Sequence, residues 1–241
     1  EVVFVESGST DGTLSAARQL AASRPQVKVV DQGARLGKGS AVAAGKAVAS
    51  GSIIAVSDAN TVYAPGTLRQ LVQPFADAKV GGVGGRFTPK NVDDPQAAGS
   101  NLYWSLEELM RGGEAVLDSC CTFHGEVYAW RRELVRPDPT AIIDDFDAAI
   151  QIRRAGYRVG YAPQAVAFEG VPVRMRDMAI QWRKNALGAI QCTVRNLRFL
   201  IGSPSYYTYL IFPSHKGIQI LQPFLLLAAL GSIVLAAYEG L

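Results

Sequence analysis

Val2-Val3-Phe4-Val5-Glu6-Ser7-Gly8-Ser9-Thr10-Asp11-Gly12-Thr13 passes from four apolar residues to a carboxylate, then to a run of small polar residues and glycines, and then to a helical pattern over residues 13–23. A short apolar run rich in β-branched and aromatic residues, closed by Gly, Ser and Asp, reads as a buried strand followed by a tight turn. The unit recurs. Apolar runs at 27–30 and 52–57 precede helical patterns at 38–50 and 65–76, and further strand candidates lie at 80–84, 126–130 and 158–161. Alternation of strands and helices with short connections predicts an α/β fold with a mostly parallel sheet covered by helices. Ligands of such sheets collect beyond the carboxyl ends of the strands, so the residues after each strand are the candidates for chemistry.

The chain of 241 residues is long enough for one large domain or a domain with an appendage, and its 49% hydrophobic and 19% charged residues fit a packed protein with a membrane-leaning part. A net charge of +3 is too weak to argue for nucleic acid. Cys120, Cys121 and Cys192 have neither metal-site nor disulfide-framework spacing, and reduced thiols are expected. With only His124 and His215, a histidine metal site is not expected. No secretory signal opens the chain, and Val2–Val5 reads as a strand already under way, as in a chain truncated at its N-terminus.

After the first strand, Glu6, Ser7 and Asp11 offer a carboxylate at the strand end and a loop with free backbone N–H groups, and Glu6 could accept hydrogen bonds from a base or ribose. A plain strand-to-helix turn uses the same residues. Arg35-Leu36-Gly37-Lys38-Gly39-Ser40-Ala41 sets a lysine between glycines before an alanine-rich helix, a combination of amides, helix start and cation that suits phosphate without being a Walker A loop. The strand at 52–57 runs into Asp58-Ala59-Asn60, where an acid and a second oxygen ligand can hold Mg²⁺ or Mn²⁺ together with a diphosphate, although an Asp-Asn turn looks the same. Gly125 opens the strand around Tyr128 and would let a ligand approach closely, while His124 beside it reads as an ordinary loop residue.

Ile142-Ile143-Asp144-Asp145-Phe146-Asp147 places three acids at the start of a helix, before Arg153-Arg154-Ala155-Gly156-Tyr157-Arg158. Acids suit the positive end of a helix. Three together exceed what a cap needs, and their repulsion can raise one carboxyl toward general-base duty.

Residues 171–201 differ in character. Met175, Met178, Ala179, Trp182, Ala186, Leu187 and Ile190 recur at helical spacing among Arg174, Arg176, Arg183, Lys184, Arg195 and Arg198, an amphipathic basic helix that either packs on the domain or lies on a membrane surface. Ile218–Tyr238 carries no charge and is long enough to cross a bilayer, with Gln219, Gln222 and Pro223 weakening its first turn. His215, Lys216 and the basic helix lie on one side and Glu239 on the other, which places residues 1–217 in the cytoplasm if the segment spans.

Taken in order, these motifs resemble the family two glycosyltransferases, inverting nucleotide-sugar enzymes of the GT-A fold. The strand and its Asp-x-Gly-Ser-x-Asp-x-Thr loop correspond to Glu6–Thr13, with Glu6 in place of the first acid, and the Gly-Lys-x-x-Ala segment corresponds to Gly37–Ala41. The Asp-x-Asp metal motif falls on Asp58-Ala59-Asn60, the Tyr-Ala-x-Arg-Arg strand on Tyr128–Arg132, and the acidic pair on Asp144-Asp145. The membrane-attached branch, which includes polysaccharide synthases, continues as this chain does, with an interfacial helix and a transmembrane helix. Its Gln-x-x-Arg-Trp motif is met by Gln181-Trp182-Arg183-Lys184-Asn185, which keeps the Gln and a base but not the final Trp. The resemblance implies a catalytic domain at 1–170 lacking its first strand, an interfacial helix and connector at 171–217, and a membrane helix at 218–238.

It further implies sugar transfer with inversion from a nucleoside-diphosphate sugar, a UDP-sugar above others, to a sugar or lipid-linked acceptor hydroxyl at the bacterial inner membrane, in cell-surface polysaccharide or glycolipid synthesis. Asp145 is then the base and Asp144 its neighbour. Asp58 and Asn60 hold the divalent ion. Glu6, Ser7, Asp11, Lys38, Asp58 and Gly125 bind the donor, and Arg183 or Lys184 meets the departing phosphate. Two rivals stand beside it: a membrane protein that binds nucleotide sugars without turnover, and a nucleotidyltransferase, which leaves the membrane helix unexplained.

Overall fold

The computed structural model describes residues 1–90, 98–172 and 174–239. Strand β1 (Val2–Glu6) is followed by α1 (Thr13–Ser23), β2 (Val27–Asp31), α2 (Lys38–Val48), β3 (Ile53–Val56), a two-residue strand β4 (Val62–Tyr63) and α3 (Thr67–Val72). Then come β5 (Val80–Pro89), α4 (Ala98–Leu117), β6 (Tyr128–Arg131), α5 (Asp144–Arg154) and β7 (Arg158–Glu169). The expected strands and helices of the first half are therefore present, whereas β4 and α4 had no counterpart in the sequence reading.

β1 and β2 form a parallel pair, and the remaining strands form a sheet in the order β3-β6-β5-β7-β4. β5 and β7 are parallel, but β6 is antiparallel to both its neighbours and β4 to β7. The sheet is thus mixed, where a mostly parallel one was expected. The cause is the segment between α4 and β6. Cys120 N–H donates to Val159 O at the start of β7 (2.9 Å), and Gly85 N–H donates to Val127 O (2.8 Å). Residues 120–127 therefore cross from β7 over Gly82 and Gly84 of β5 before the chain turns, and β6 enters antiparallel to β5. That detour also delivers Gly125 and Glu126 to the carboxyl end of β3, where Val56 pairs with Tyr128.

Alternation along β6 divides the core. Val127 and Ala129 face Leu71, Phe75, Val83 and Ala165, while Tyr128 and Trp130 face Phe123, Ala148, Ile152 and Val159. Gly82 of β5 makes the second layer possible, since a Cβ there would lie 2.6 Å from Ile152 Cδ1 and 2.7 Å from Phe123 Cζ. The far face of α5 buries Phe146 and Ile150 against Cys121 and against residues of the C-terminal region.

That region comprises α6 (Met175–Arg195), α7 (Leu197–Gly202), two π-helical turns (Tyr207–Ile211 and Pro213–Gly217) and α8 (Ile218–Glu239). α6 packs through small residues, Gly188, Ala189 and Cys192. The expected apolar stripe is not what packs on the domain. Met175 (70%), Trp182 (57%) and Leu187 (52%) stand exposed. Tyr207–Tyr238 is one continuous helical stretch of 32 residues whose most apolar 18-residue part has a mean hydropathy of 2.2, long and apolar enough to cross a membrane, and none of that part is buried against the protein. The helix continues through Pro223. His215, at the entrance of α8, is buried against α4.

Candidate active site

The turn after β1 is held by Glu6. Its buried carboxylate accepts N–H bonds from Gly8 (3.1 Å) and Ser9 (2.5 Å), and those bonds hold it below the usual carboxylate range despite burial. Gly8 adopts φ +78°, and a Cβ there would press to 3.0 Å on the backbone of Ala34 and Arg35, so glycine lets the turns after β1 and β2 meet. Ser7 Oγ donates to Gln32 Oε1 (2.7 Å), and Gln32 Nε2 donates to Ser40 Oγ (3.0 Å). Asp11 accepts from both the backbone N–H (3.2 Å) and the hydroxyl (2.5 Å) of Thr13, the first residue of α1, which closes an Asx-type turn around Gly12, the residue at the N-cap position.

Lys38, at the first position of α2, is the hub of the site. Its Nζ lies 2.6 Å from Asp58 Oδ1, beyond the end of β3, and donates to the Gly125 carbonyl at 2.7 Å. Burial works against its charge, but the carboxylates of Asp144 and Asp58, joined by Asp145, outweigh it and hold the ammonium above its usual value. A Cβ on Gly125 would come to 3.2 Å from Lys38 Nζ and 3.7 Å from Asp145 Oδ2. Lys38, Asp58, Gly125 and Asp145, brought from four separate parts of the chain, therefore share one small volume at the carboxyl end of the sheet.

Asp144 and Asp145 open α5. Asp144 accepts the hydroxyl of the buried Tyr128, and Asp145 Oδ1 accepts the N–H of Phe146 (2.8 Å). Burial, reinforced by the negative charge of Asp144, pushes the Asp145 carboxyl up, against the pull of Lys38. Asp147 turns aside to accept from Gln151 Nε2 (2.7 Å) one helical turn on. Arg183 and Lys184 stand exposed on α6, and none of the described contacts joins either to the Lys38 cluster.

Two further residues belong here. Burial raises Glu126 to about 7, with Lys38 opposing and Asp145 and Asp58 adding to the rise. Tyr63 of β4 donates to the carbonyls of Val56 (3.0 Å) and Glu126 (3.1 Å), tying the end of β3 to the entrance of β6. The position of Glu126 directly after Gly125 was the available signal. His124 is buried between Phe87 and Trp104, ring centroids 5.9 and 5.5 Å away, and its Nε2 has no hydrogen-bond partner among the described residues.

Among the described residues no three His, Cys, Asp or Glu side chains gather at metal-binding spacing. The available donors are hard oxygens, the Asp58 carboxylate and the amide of the exposed Asn60. Such a pair fits Mg²⁺ or Mn²⁺ only where phosphate and water complete the shell.

The sequence is 24% identical over 174 residues to an N-acetylglucosaminyltransferase of Rhizobium sp. (strain N33), a match covering 66% of this chain and only 39% of that relative's length. Superposition on the mannosyltransferase PcManGT from Pyrobaculum calidifontis, solved in complex with GDP-Man and Mn²⁺, gives a TM-score of 0.81 at 28% identity over 100% of this chain and 67% of that one. A glucosyl-3-phosphoglycerate synthase from Mycobacterium tuberculosis shares the fold at a TM-score of 0.50 and 18% identity, over 80% of this chain and 68% of its own. These relations identify the α/β fold as GT-A. The profile of glycosyl transferase family 2 matches residues 1–135. The chain is a member of glycosyl transferase family 2.

Proposed function

We propose that this protein is a membrane-attached, inverting glycosyltransferase that moves a sugar from a nucleoside-diphosphate sugar to an acceptor hydroxyl. The observation that carries the reading is the convergence on Gly125 of a cation and a raised carboxyl: Lys38 Nζ donates to the Gly125 carbonyl at 2.7 Å, and Asp145 lies across the same glycine.

In this reading Asp145 takes the proton of the acceptor hydroxyl as its oxygen bonds to the anomeric carbon. The bond from that carbon to the diphosphate breaks on the opposite face, which inverts the configuration. Tyr128 occupies Asp144 and keeps it from competing as base. Lys38 presents its charge to the diphosphate. The turn built on Glu6, Ser7 and Asp11 receives the nucleotide. Asp58 and Asn60 would hold a divalent ion, which would neutralise charge on the leaving group; PcManGT, solved in complex with GDP-Man and Mn²⁺, supports the use of a divalent ion. The exposed apolar face of α6 and the length of α8 support attachment to a bilayer with the basic helix, and so the catalytic domain, on the cytoplasmic side.

The test is a screen of UDP- and GDP-sugars for transfer by the protein in membranes, with Mn²⁺ or Mg²⁺. Transfer with release of the nucleoside diphosphate, abolished by excess chelator, is expected. Donor binding without release across the whole set would replace the reading by the non-catalytic one.

A further inference from the structure

The strongest buried charge cluster outside the Lys38 site joins α4 to the segment that leads into α8. Glu107 (1% exposed), Arg111 (4%) and Glu114 (8%) of α4 surround His215 (3%). His215 Nδ1 lies 2.6 Å from Glu114 Oε1, and Nε2 lies 3.2 Å from Glu107 Oε1. Both ring nitrogens therefore meet carboxylate oxygens, and both must donate. With an imidazolium in place, two acids face two cations and the cluster is neutral; without it, one buried carboxylate is left uncompensated.

The acids do not end at His215. Glu114 Oε2 accepts the N–H of Cys121 (2.9 Å), and Glu107 Oε2 accepts from Arg111, which donates onward to the Thr122 carbonyl. Tyr207, in the π-helical turn just before His215, donates its hydroxyl to the Cys121 carbonyl (3.1 Å). The N–H and C=O of Cys121 and the C=O of Thr122 are thus all held from this cluster. Three residues later the chain reaches Gly125, whose carbonyl receives Lys38.

We propose that His215 is a positioning residue for transfer: through Glu114 and Glu107 it sets the loop 120–125, and with it the spacing of Lys38 and Asp145. The entrance of the membrane helix is in this way wired to the catalytic loop. The claim rests on the function proposed above for that loop. The groups facing His215 are Glu107, Arg111 and Glu114 from α4, Cys121 and Tyr207 near the loop, and Lys216 on its own segment, which donates to Gln219. Burial pushes the Cys121 thiol up to about 12, so it stays neutral and leaves the charge balance to the acids, Arg111 and His215.

The experiment compares His215→Gln, Glu114→Gln and the double variant with wild type, all as full chains in membranes. Turnover is expected to fall about 10- to 100-fold in each single variant, the size of loss that small misplacements cause. Donor KM is expected to stay within about threefold, and the double variant to be no worse than the worse single one, as for residues acting as one unit. The wild-type alkaline limb of kcat, where His215 gives up its proton, should be missing in His215→Gln. Hydrogen exchange of residues 119–127 should accelerate about tenfold in both singles while that of α1 and α2 is unchanged. Unchanged exchange in that loop overturns the proposal whether or not a donor has been found. Unaltered turnover, or a loss with the wild-type pH profile retained, overturns it as well. Absence of transfer by wild type combined with the expected exchange pattern would sink the proposed function and leave the wiring standing.

Discussion

Gly125 has no side chain where one would be wedged between Lys38 and Asp145, 3.2 Å from Nζ and 3.7 Å from Oδ2. Gly125→Ala should therefore displace the ammonium by a few tenths of an ångström without touching the core. Turnover is expected to fall about tenfold while the unfolding midpoint stays near wild type; a wild-type rate would show that the close approach is unused. Asp145 makes a second prediction at this scale. Burial and Asp144 raise its carboxyl, and the base must be ionised to act. The acid limb of kcat/KM should then fall as pH drops through a value above the ordinary aspartate pKa of about 3.9. A limb at or below that value would argue against a buried base.

At the scale of elements, Gly82 tests the packing that brings α5 to the sheet. An added methyl meets Ile152 and Phe123 at 2.6 and 2.7 Å, so Gly82→Ala should cost about 1–3 kcal/mol in denaturant unfolding. α1, α2, β1 and β3 were legible because each is a local pattern with its own stop signals, and the residues after them were placed by the rule that strand ends carry the site. β6 was found as a strand but not its direction, because direction follows from the path of residues 120–127 across the sheet, a tertiary matter. α4 was missed for a physical reason. Its charged residues Glu107, Arg111 and Glu114 face inward, while Leu102, Leu109 and Val116 are 66%, 73% and 83% exposed. That is the reverse of the pattern by which an amphipathic helix is recognised. α6 showed the same limit, since Gly188, Ala189 and Cys192 carry its packing rather than the large apolar stripe. Of the residues expected at the site, the donor contacts Lys38, Asp58 and Gly125 meet the base Asp145 in space, whereas Arg183 and Lys184 are joined to them by none of the described contacts.

At the scale of the whole molecule, the cluster at α4 ties the GT-A core to the C-terminal helices and gives stability a pH dependence. Burial raises Glu107, but His215 and Arg111 outweigh it and hold the carboxyl far below its ordinary range. A depressed acid contributes its stability in full above the unfolded value of about 4.3 and loses it as pH falls toward the folded value. Thermal unfolding should therefore move to lower temperature as pH falls from roughly 5 toward roughly 3, and Glu107→Gln should show a smaller drop over that interval. An equal drop in the variant would remove Glu107 as its source. The central claim, however, concerns chemistry at Asp145. The most direct measurement is single-turnover transfer by wild type and Asp145→Asn in membranes, with donor affinity measured on the same preparations. The account predicts that the variant binds donor as wild type does and transfers about 10²- to 10⁴-fold more slowly; transfer by Asp145→Asn at the wild-type rate would contradict it.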